Sequence, residues 1–139
     1  MMTLTRRYRF SASHRLHAPS LAASENARIY GKCNNPYGHG HDYVLEVSVR
    51  GPLDEATGRI VDLDSLDGLV RAEVLDAFDH RNLNLDAPGF GDVVPTTENL
   101  AIEIRRRLAT SWDRAFPAGA PQLDRIRIQE TKRNIFELG

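Results

Sequence analysis

His41-Asp42-Tyr43-Val44-Leu45-Glu46-Val47-Ser48-Val49-Arg50 alternates apolar and polar residues along its whole length. Tyr43, Leu45, Val47 and Val49 fall on one face, and Asp42, Glu46, Ser48 and Arg50 on the other, which is the signature of a half-buried strand. Gly51-Pro52 ends it, and Asp54-Glu55-Ala56-Thr57-Gly58 reads as a polar turn into a short strand around Ile60-Val61. A second strand is read over residues 4–13, where Tyr8, Phe10 and Ala12 alternate with Arg7, Arg9, Ser11 and Ser13. A third spans 123–130, with Ile126 and Ile128 on one face and Arg125 and Arg127 on the other, and a short one runs from Ile135 to Leu138.

Two helices lie between these strands. Leu66, Leu69, Val70, Val74 and Phe78 keep helical spacing behind a cap at Asp64 or Ser65. Leu100, Ala101, Ile104, Leu108 and Trp112 form a second stripe, with Thr97 as its cap and Glu98 in the first turn, where the helix dipole favours a carboxylate. Arg105-Arg106-Arg107 reads as the solvated face of that helix. Helices grouped between hairpins predict an α+β fold, an antiparallel sheet covered on one face. No repeat or linker divides the 139 residues, so residues 1–139 are expected to form a single domain.

Composition narrows the function. Lys and Arg number 18 against 19 Asp and Glu, a net charge of −1, so there is no basic excess for neutralising nucleic-acid phosphates. No apolar run is long enough to span a bilayer, and the first residues, Met1 to Arg7, lack the apolar stretch of a secretory signal. A single cysteine fits a reducing, cytoplasmic setting. The chain is short for holding both a core and a deep pocket.

The chemistry concentrates in Cys33-Asn34-Asn35-Pro36-Tyr37-Gly38-His39-Gly40-His41. Histidines two apart entering a strand project from one face, so both imidazoles can reach one metal ion. His14 has the strand parity of Phe10 and Ala12, and if the strands pair it meets the other two. Three imidazoles with one position open are the usual catalytic zinc arrangement. Cys33 sits in a polar loop, where it is either a thiolate base or nucleophile or a metal ligand. Asp79-His80 would suit proton transfer if the two side chains touch. Glu130 shares the parity of Ile126 and Ile128 and points to the covered side. There it needs a partner, either a basic side chain or two adjacent N–H donors of a ligand. His17 has no partner to be named from sequence.

With these residues in hand, the chain resembles the 6-pyruvoyl-tetrahydropterin synthase family over essentially its whole length. The resemblance runs through Phe10-Ser-Ala-Ser-His14-Arg-Leu, Ser24-Glu-Asn, Gly31 to His41, Asp79-His80-Arg-Asn-Leu, Asp92-Val-Val-Pro-Thr-Thr-Glu98-Asn and Gln129-Glu130-Thr131. It implies a tunnelling fold: a four-stranded antiparallel sheet with two helices on its outer side, closed into a barrel by oligomerisation, two trimers stacking as a homohexamer. It implies catalytic zinc on His14, His39 and His41, and Cys33 as general base, with Asp79 and His80 arriving from a neighbouring subunit. Glu130 would anchor the 2-amino-4-oxo edge of a pterin, with Thr96, Thr97 and Glu98 in the same pocket. The implied substrate is 7,8-dihydroneopterin triphosphate, with no nucleic-acid or membrane partner.

A sister branch, 6-carboxy-tetrahydropterin synthase of deazaguanine (queuosine) biosynthesis, uses the same substrate and releases acetaldehyde as well as triphosphate. Its motif has three residues between the cysteine and His-Gly-His, whereas this chain has five, Asn34 to Gly38, the pattern of the pyruvoyl-forming enzymes. Another branch uses a glutamate in place of the cysteine; retention of Cys33 argues against it. Two readings from other classes are a metal-dependent hydrolase and a non-catalytic zinc- and pterin-binding protein.

Overall fold

A computed structural model describes residues 1–139. Strand β1 (Met2–His14) is followed by α1 (Ala23–Tyr30), a 3₁₀ turn (Gly31–Asn34) and β2 (His39–Gly51). Then come α2 (Leu63–Val70), a π turn (Arg71–Leu75) and α3 (Asp76–Phe78), the two-residue strand β3 (Arg81–Asn82), the long helix α4 (Thr97–Ala115), β4 (Gln122–Gln129) and β5 (Ile135–Leu138). The strands form one sheet in the order β3-β1-β2-β4-β5.

The alternation read in β2 decides the architecture. Phe10 and Ala12 of β1, Tyr43, Leu45, Val47 and Val49 of β2, and Ile126 and Ile128 of β4 are all buried on one face. Against them pack Leu66, Val70, Val74 and Phe78 from the first helical run, and Leu100, Ile104 and Leu108 from α4, all fully buried. Burying such side chains is the main stabilising term, roughly 1.5–3 kcal/mol each. The other face of the sheet is polar; there Arg7 and Arg127 both pair with Glu46. A register shift between Ser48 and Val49 lets Val47, Ser48 and Val49 all be buried, and Ser48 Oγ is satisfied by Thr5 Oγ1 at 2.7 Å.

Several expectations are corrected. The sheet has five strands and is mixed, because β3 pairs parallel with β1 at the edge, instead of four strands all antiparallel. Ile60-Val61 forms no strand; the turn closes with a single bridge between Asp54 and Arg59. Helix α1 shows no apolar stripe and was not expected. It is held by buried Asn26, whose amide bonds Ala18 through both backbone groups and the carbonyls of Leu21 and Ala22. The cap of α4 is Thr96, whose side chain accepts from the Asn99 N–H, while Thr97 is already inside the helix and buried. Of the three arginines read as a solvated face, only Arg106 is exposed. Arg106 pairs with Glu103, Arg107 donates to the Glu73 carbonyl in the π turn and lies over the Phe78 ring, and Arg105 is half-buried.

Candidate metal centre and its surroundings

Pairing of β1 with β2 places Ala12 opposite His41 and His14 opposite His39. The three imidazoles therefore meet at the sheet end, on the face that carries the core. His14 Nε2 lies 3.1 Å from His39 Nε2, which lies 2.9 Å from His41 Nε2, and one ring nitrogen from each falls within 4.8 Å of the others. His14 is fully buried and donates its Nδ1–H to the Pro95 carbonyl at 2.8 Å, so its Nε2 carries a lone pair. Burial pushes His14 down to about 4, which keeps the ring neutral. Burial also lowers His39, with further lowering from His41.

The donor set fits a metal. His39 Nε2 faces two other ring nitrogens, yet one nitrogen carries at most one proton, so hydrogen bonding satisfies only one of the two contacts. A cation shared by the three removes the conflict. Donors bound tetrahedrally at about 2.0–2.1 Å stand roughly 3.3 Å apart, close to the spacings found.

Glu130 lies just past β4 on the same face as Ile126 and Ile128, as its parity predicts. Its Oε1 is 3.2 Å from His41 Nε2 and 3.9 Å from His14 Nε2. Cys33, in the 3₁₀ turn, is partly buried and is not one of the clustered metal donors. Burial raises its thiol pKa, and the nearby Glu130 carboxylate raises it further. Thr97 Oγ1 is buried without a partner, Thr96 is occupied as the helix cap, and Glu98 is exposed.

Asp79 and His80 do touch: His80 Nδ1 is 3.0 Å from Asp79 Oδ1, and Asp79 Oδ1 also accepts from the Ser11 N–H at 2.9 Å. His80 has φ of 59°, a left-handed backbone rare for a residue with a side chain, and its own N–H is tied to the Ser11 carbonyl. Its side chain is 81% exposed and lines a shallow depression with Ser11, Ser13, Gly40 and Asp42. Ser11, Ser13 and Asp42 of the polar face line the depression, and so does His41 of the triad.

Two neighbours were not read from sequence. Tyr43 is fully buried with its hydroxyl unpartnered, its ring 5.7 Å from that of His41. The alternation of β2 shows its burial but not this proximity to chemistry. His17 accepts from Asn34 Nδ2 at 3.1 Å, and the Asn34 carbonyl accepts from Arg15 Nε, so the residue after Cys33 ties two loops together. Nothing in local sequence signals a contact between those loops.

Fold and site together define a class: a small α+β chain whose central strands carry three histidines able to hold a metal ion, with a carboxylate and a free thiol nearby. A family model for 6-pyruvoyl tetrahydropterin synthase matches residues 3–139, and the chain belongs to that family. It is 48% identical over 132 residues to the 6-pyruvoyl tetrahydrobiopterin synthase of Poecilia reticulata, covering 95% of this chain and 86% of that one. The Caenorhabditis elegans 6-pyruvoyl tetrahydropterin synthase structure superposes with a TM-score of 0.88 at 41% identity, covering 99% of this chain and 94% of that chain. A 6-carboxy-5,6,7,8-tetrahydropterin synthase from Rickettsia bellii is 34% identical over 153 residues, covering 99% of this chain and 100% of its own length. No helix is long and apolar enough to cross a membrane.

Proposed function

We propose that the chain is a zinc-dependent 6-pyruvoyl-tetrahydropterin synthase, a carbon–oxygen lyase that takes 7,8-dihydroneopterin triphosphate and eliminates triphosphate. The observation that carries this reading is the grouping of Glu130 with the histidine triad, and its charge acting on Cys33. The five-residue spacing from Cys33 to His39 and the guppy and nematode relatives support it over the carboxy-forming branch.

His14, His39 and His41 would hold the zinc. When bound, it supplies Lewis-acid polarisation of the substrate's side-chain hydroxyls, making the adjacent carbon-bound hydrogens more acidic. Glu130 binds the two-donor edge of the pterin, a bidentate match for a carboxylate. Cys33 removes the side-chain proton as thiolate. Its thiol is held up by burial and by Glu130, so engagement of Glu130 with ligand N–H groups relieves part of that push. Asp79 orients His80, and the pair passes the proton on; hydrogen moves from side chain to ring with no external redox cofactor. Thr97, with its buried free hydroxyl, completes the pocket, with Thr96 and Glu98 at its rim.

The exposed His80, held by Asp79, serves a neighbouring copy, and the assembly is a cytoplasmic homohexamer, a dimer of trimers whose sheets close a barrel. Incubation with 7,8-dihydroneopterin triphosphate and mass spectrometry of the products tests the reading. Pyruvoyl-tetrahydropterin with triphosphate and no acetaldehyde is expected. Carboxy-tetrahydropterin with acetaldehyde would assign the sister activity, and pterin binding with no turnover would make the chain a non-catalytic binder.

A further inference from the structure

The carbonyl that holds His14 belongs to a turn gripped by the first residues of α4. The Val94 carbonyl accepts two hydrogen bonds, from the Thr96 N–H at 2.8 Å and from Asn99 Nδ2 at 2.8 Å. The first closes a three-residue turn centred on Pro95, whose ring restricts φ and leaves no N–H to compete. The Thr96 carbonyl accepts from the Leu100 N–H at 2.9 Å, and the Thr96 hydroxyl from the Asn99 N–H at 3.2 Å. Asn99 thus holds the turn through both its backbone and its side chain. Of three successive carbonyls, those of Val94 and Thr96 are committed to the helix entrance. Only that of Pro95 is aimed at β1, where it meets His14 Nδ1 at 2.8 Å. Pro95 is buried and His14 fully so, and a buried donor that loses its acceptor carries the full cost of desolvation.

We infer that Asn99 is a positioning residue for the metal centre: its side-chain amide holds the Val94–Thr96 turn so that the Pro95 carbonyl meets His14 Nδ1 and aims Nε2 at the ion. Asn99 acts through Pro95 and His14 and is not itself one of the metal donors. The group facing the Val94 carbonyl must donate, so an amide serves there and a carboxylate does not. A histidine whose second nitrogen is fixed in this way is already oriented and in the right tautomer when the ion arrives. The inference rests on the proposed metal-holding role of the three histidines and is independent of the pterin chemistry.

The test compares Asn99→Asp and Asn99→Ala with the wild type in the full-length protein. Asp is nearly isosteric, and a carboxylate in the first turn suits the helix dipole, so this variant keeps the helix while losing the donor. Ala109→Gly, at an exposed position of α4 two turns further on, is the control that weakens the helix without touching the turn. Zinc affinity is read by competition with a chromogenic chelator, and folding by circular dichroism and the Tm of zinc-free protein. Both Asn99 variants are expected to bind zinc about tenfold more weakly or worse, the order found when support for a metal ligand is removed. Ala109→Gly should bind zinc as the wild type does. Unchanged affinity in Asn99→Asp would overturn the inference. So would an equal weakening in Ala109→Gly at a matched loss of Tm, because helix stability alone would then account for it. A wild type that takes up no zinc would remove the metal reading itself, and this inference with it.

Discussion

His14 donates its Nδ1–H to the carbonyl oxygen of Pro95 at 2.8 Å, tying the last residue of β1 to the residue just before the cap of α4. The contact fixes the tautomer of a fully buried ring and aims Nε2 at the other two histidines. It also separates two roles for substitution. His14→Ala would remove a metal donor and orphan a buried carbonyl, mixing folding with ligation. His39 is only partly buried and its Nδ1 has no partner, so His39→Ala tests ligation more cleanly. That variant should fold, carry no stoichiometric zinc by elemental analysis, and have no activity. Zinc at a hundred times its dissociation constant should stabilise the wild type by about 2.7 kcal/mol in thermal unfolding and leave His39→Ala unmoved. A zinc-free variant that still turns over would sink the metal assignment.

Cys33 lies outside the cluster of metal donors, so loss of its thiol should spare the ion. Cys33→Ala is expected to keep one zinc per chain while its turnover falls by roughly 10²–10⁴, the range for losing a general base. Metal content and steady-state rates on one preparation decide the matter. Retained turnover would favour a hydrolase-like use of the histidines, which has no need of the thiol. Loss of zinc with loss of rate would make Cys33 a ligand after all.

Much of this geometry was legible in the chain because it is carried by strand parity. His14, His39, His41 and Glu130 each follow from alternation that also places Phe10, Tyr43 and Ile128 in the core, so one rule yields both core and site. Parity does not extend to loops. The contact of Asp79 with His80 depends on a left-handed backbone that no pattern signals. Helix α1 exists because Asn26 collects four hydrogen bonds and not because of an apolar stripe. Arg105 to Arg107 show the limit of a charge run as a marker of solvent: Arg107 is spent on the Glu73 carbonyl exposed by the π turn. The edge strand β3 has two residues, too few for any periodicity, and its pairing with Ala12 and Ser13 is purely tertiary.

Asp67 supplies a prediction about pH. Arg6 donates to both of its oxygens at 2.7 and 2.8 Å, and the Tyr8 hydroxyl donates to it at 2.7 Å, joining β1 to α2. The Arg6 hydrogen bond, the larger cause, and that of Tyr8 hold the Asp67 carboxyl below its usual value. Over the interval between the lowered value and the usual one, the unfolded chain binds more protons, so stability rises with pH there. The stabilisation is complete above the ordinary carboxylate range and is lost as pH falls through the lowered value, below about pH 4. Arg6 is well exposed, so solvent screening keeps the effect small. Asp67→Asn should therefore lower the Tm at pH 7 modestly, and the gap to wild type should close as the pH falls below the ordinary carboxylate range and the Asp67 carboxylate takes up its proton. A gap that stays constant across that range would show that the carboxylate charge contributes nothing.

His80 and Cys33 give the sharpest test of a shared site. The His80 ring is exposed and held by Asp79, whereas Cys33 lies in the 3₁₀ turn, its thiol raised by burial and by the nearby Glu130 carboxylate. If each site takes Cys33 from one chain and His80 from a neighbour, Cys33→Ala and His80→Ala should each be nearly inactive alone. Co-assembled in equal amounts, they should recover activity. A random mixture places an intact Cys33 beside an intact neighbouring His80 in about one quarter of sites, which sets the ceiling on recovery. Light scattering on the same sample establishes the oligomer, and titrating one variant against the other should give a maximum at equal proportions. No recovery in a verified mixed oligomer would mean that the pair acts within its own chain or not at all. The left-handed backbone at His80 would then need another explanation.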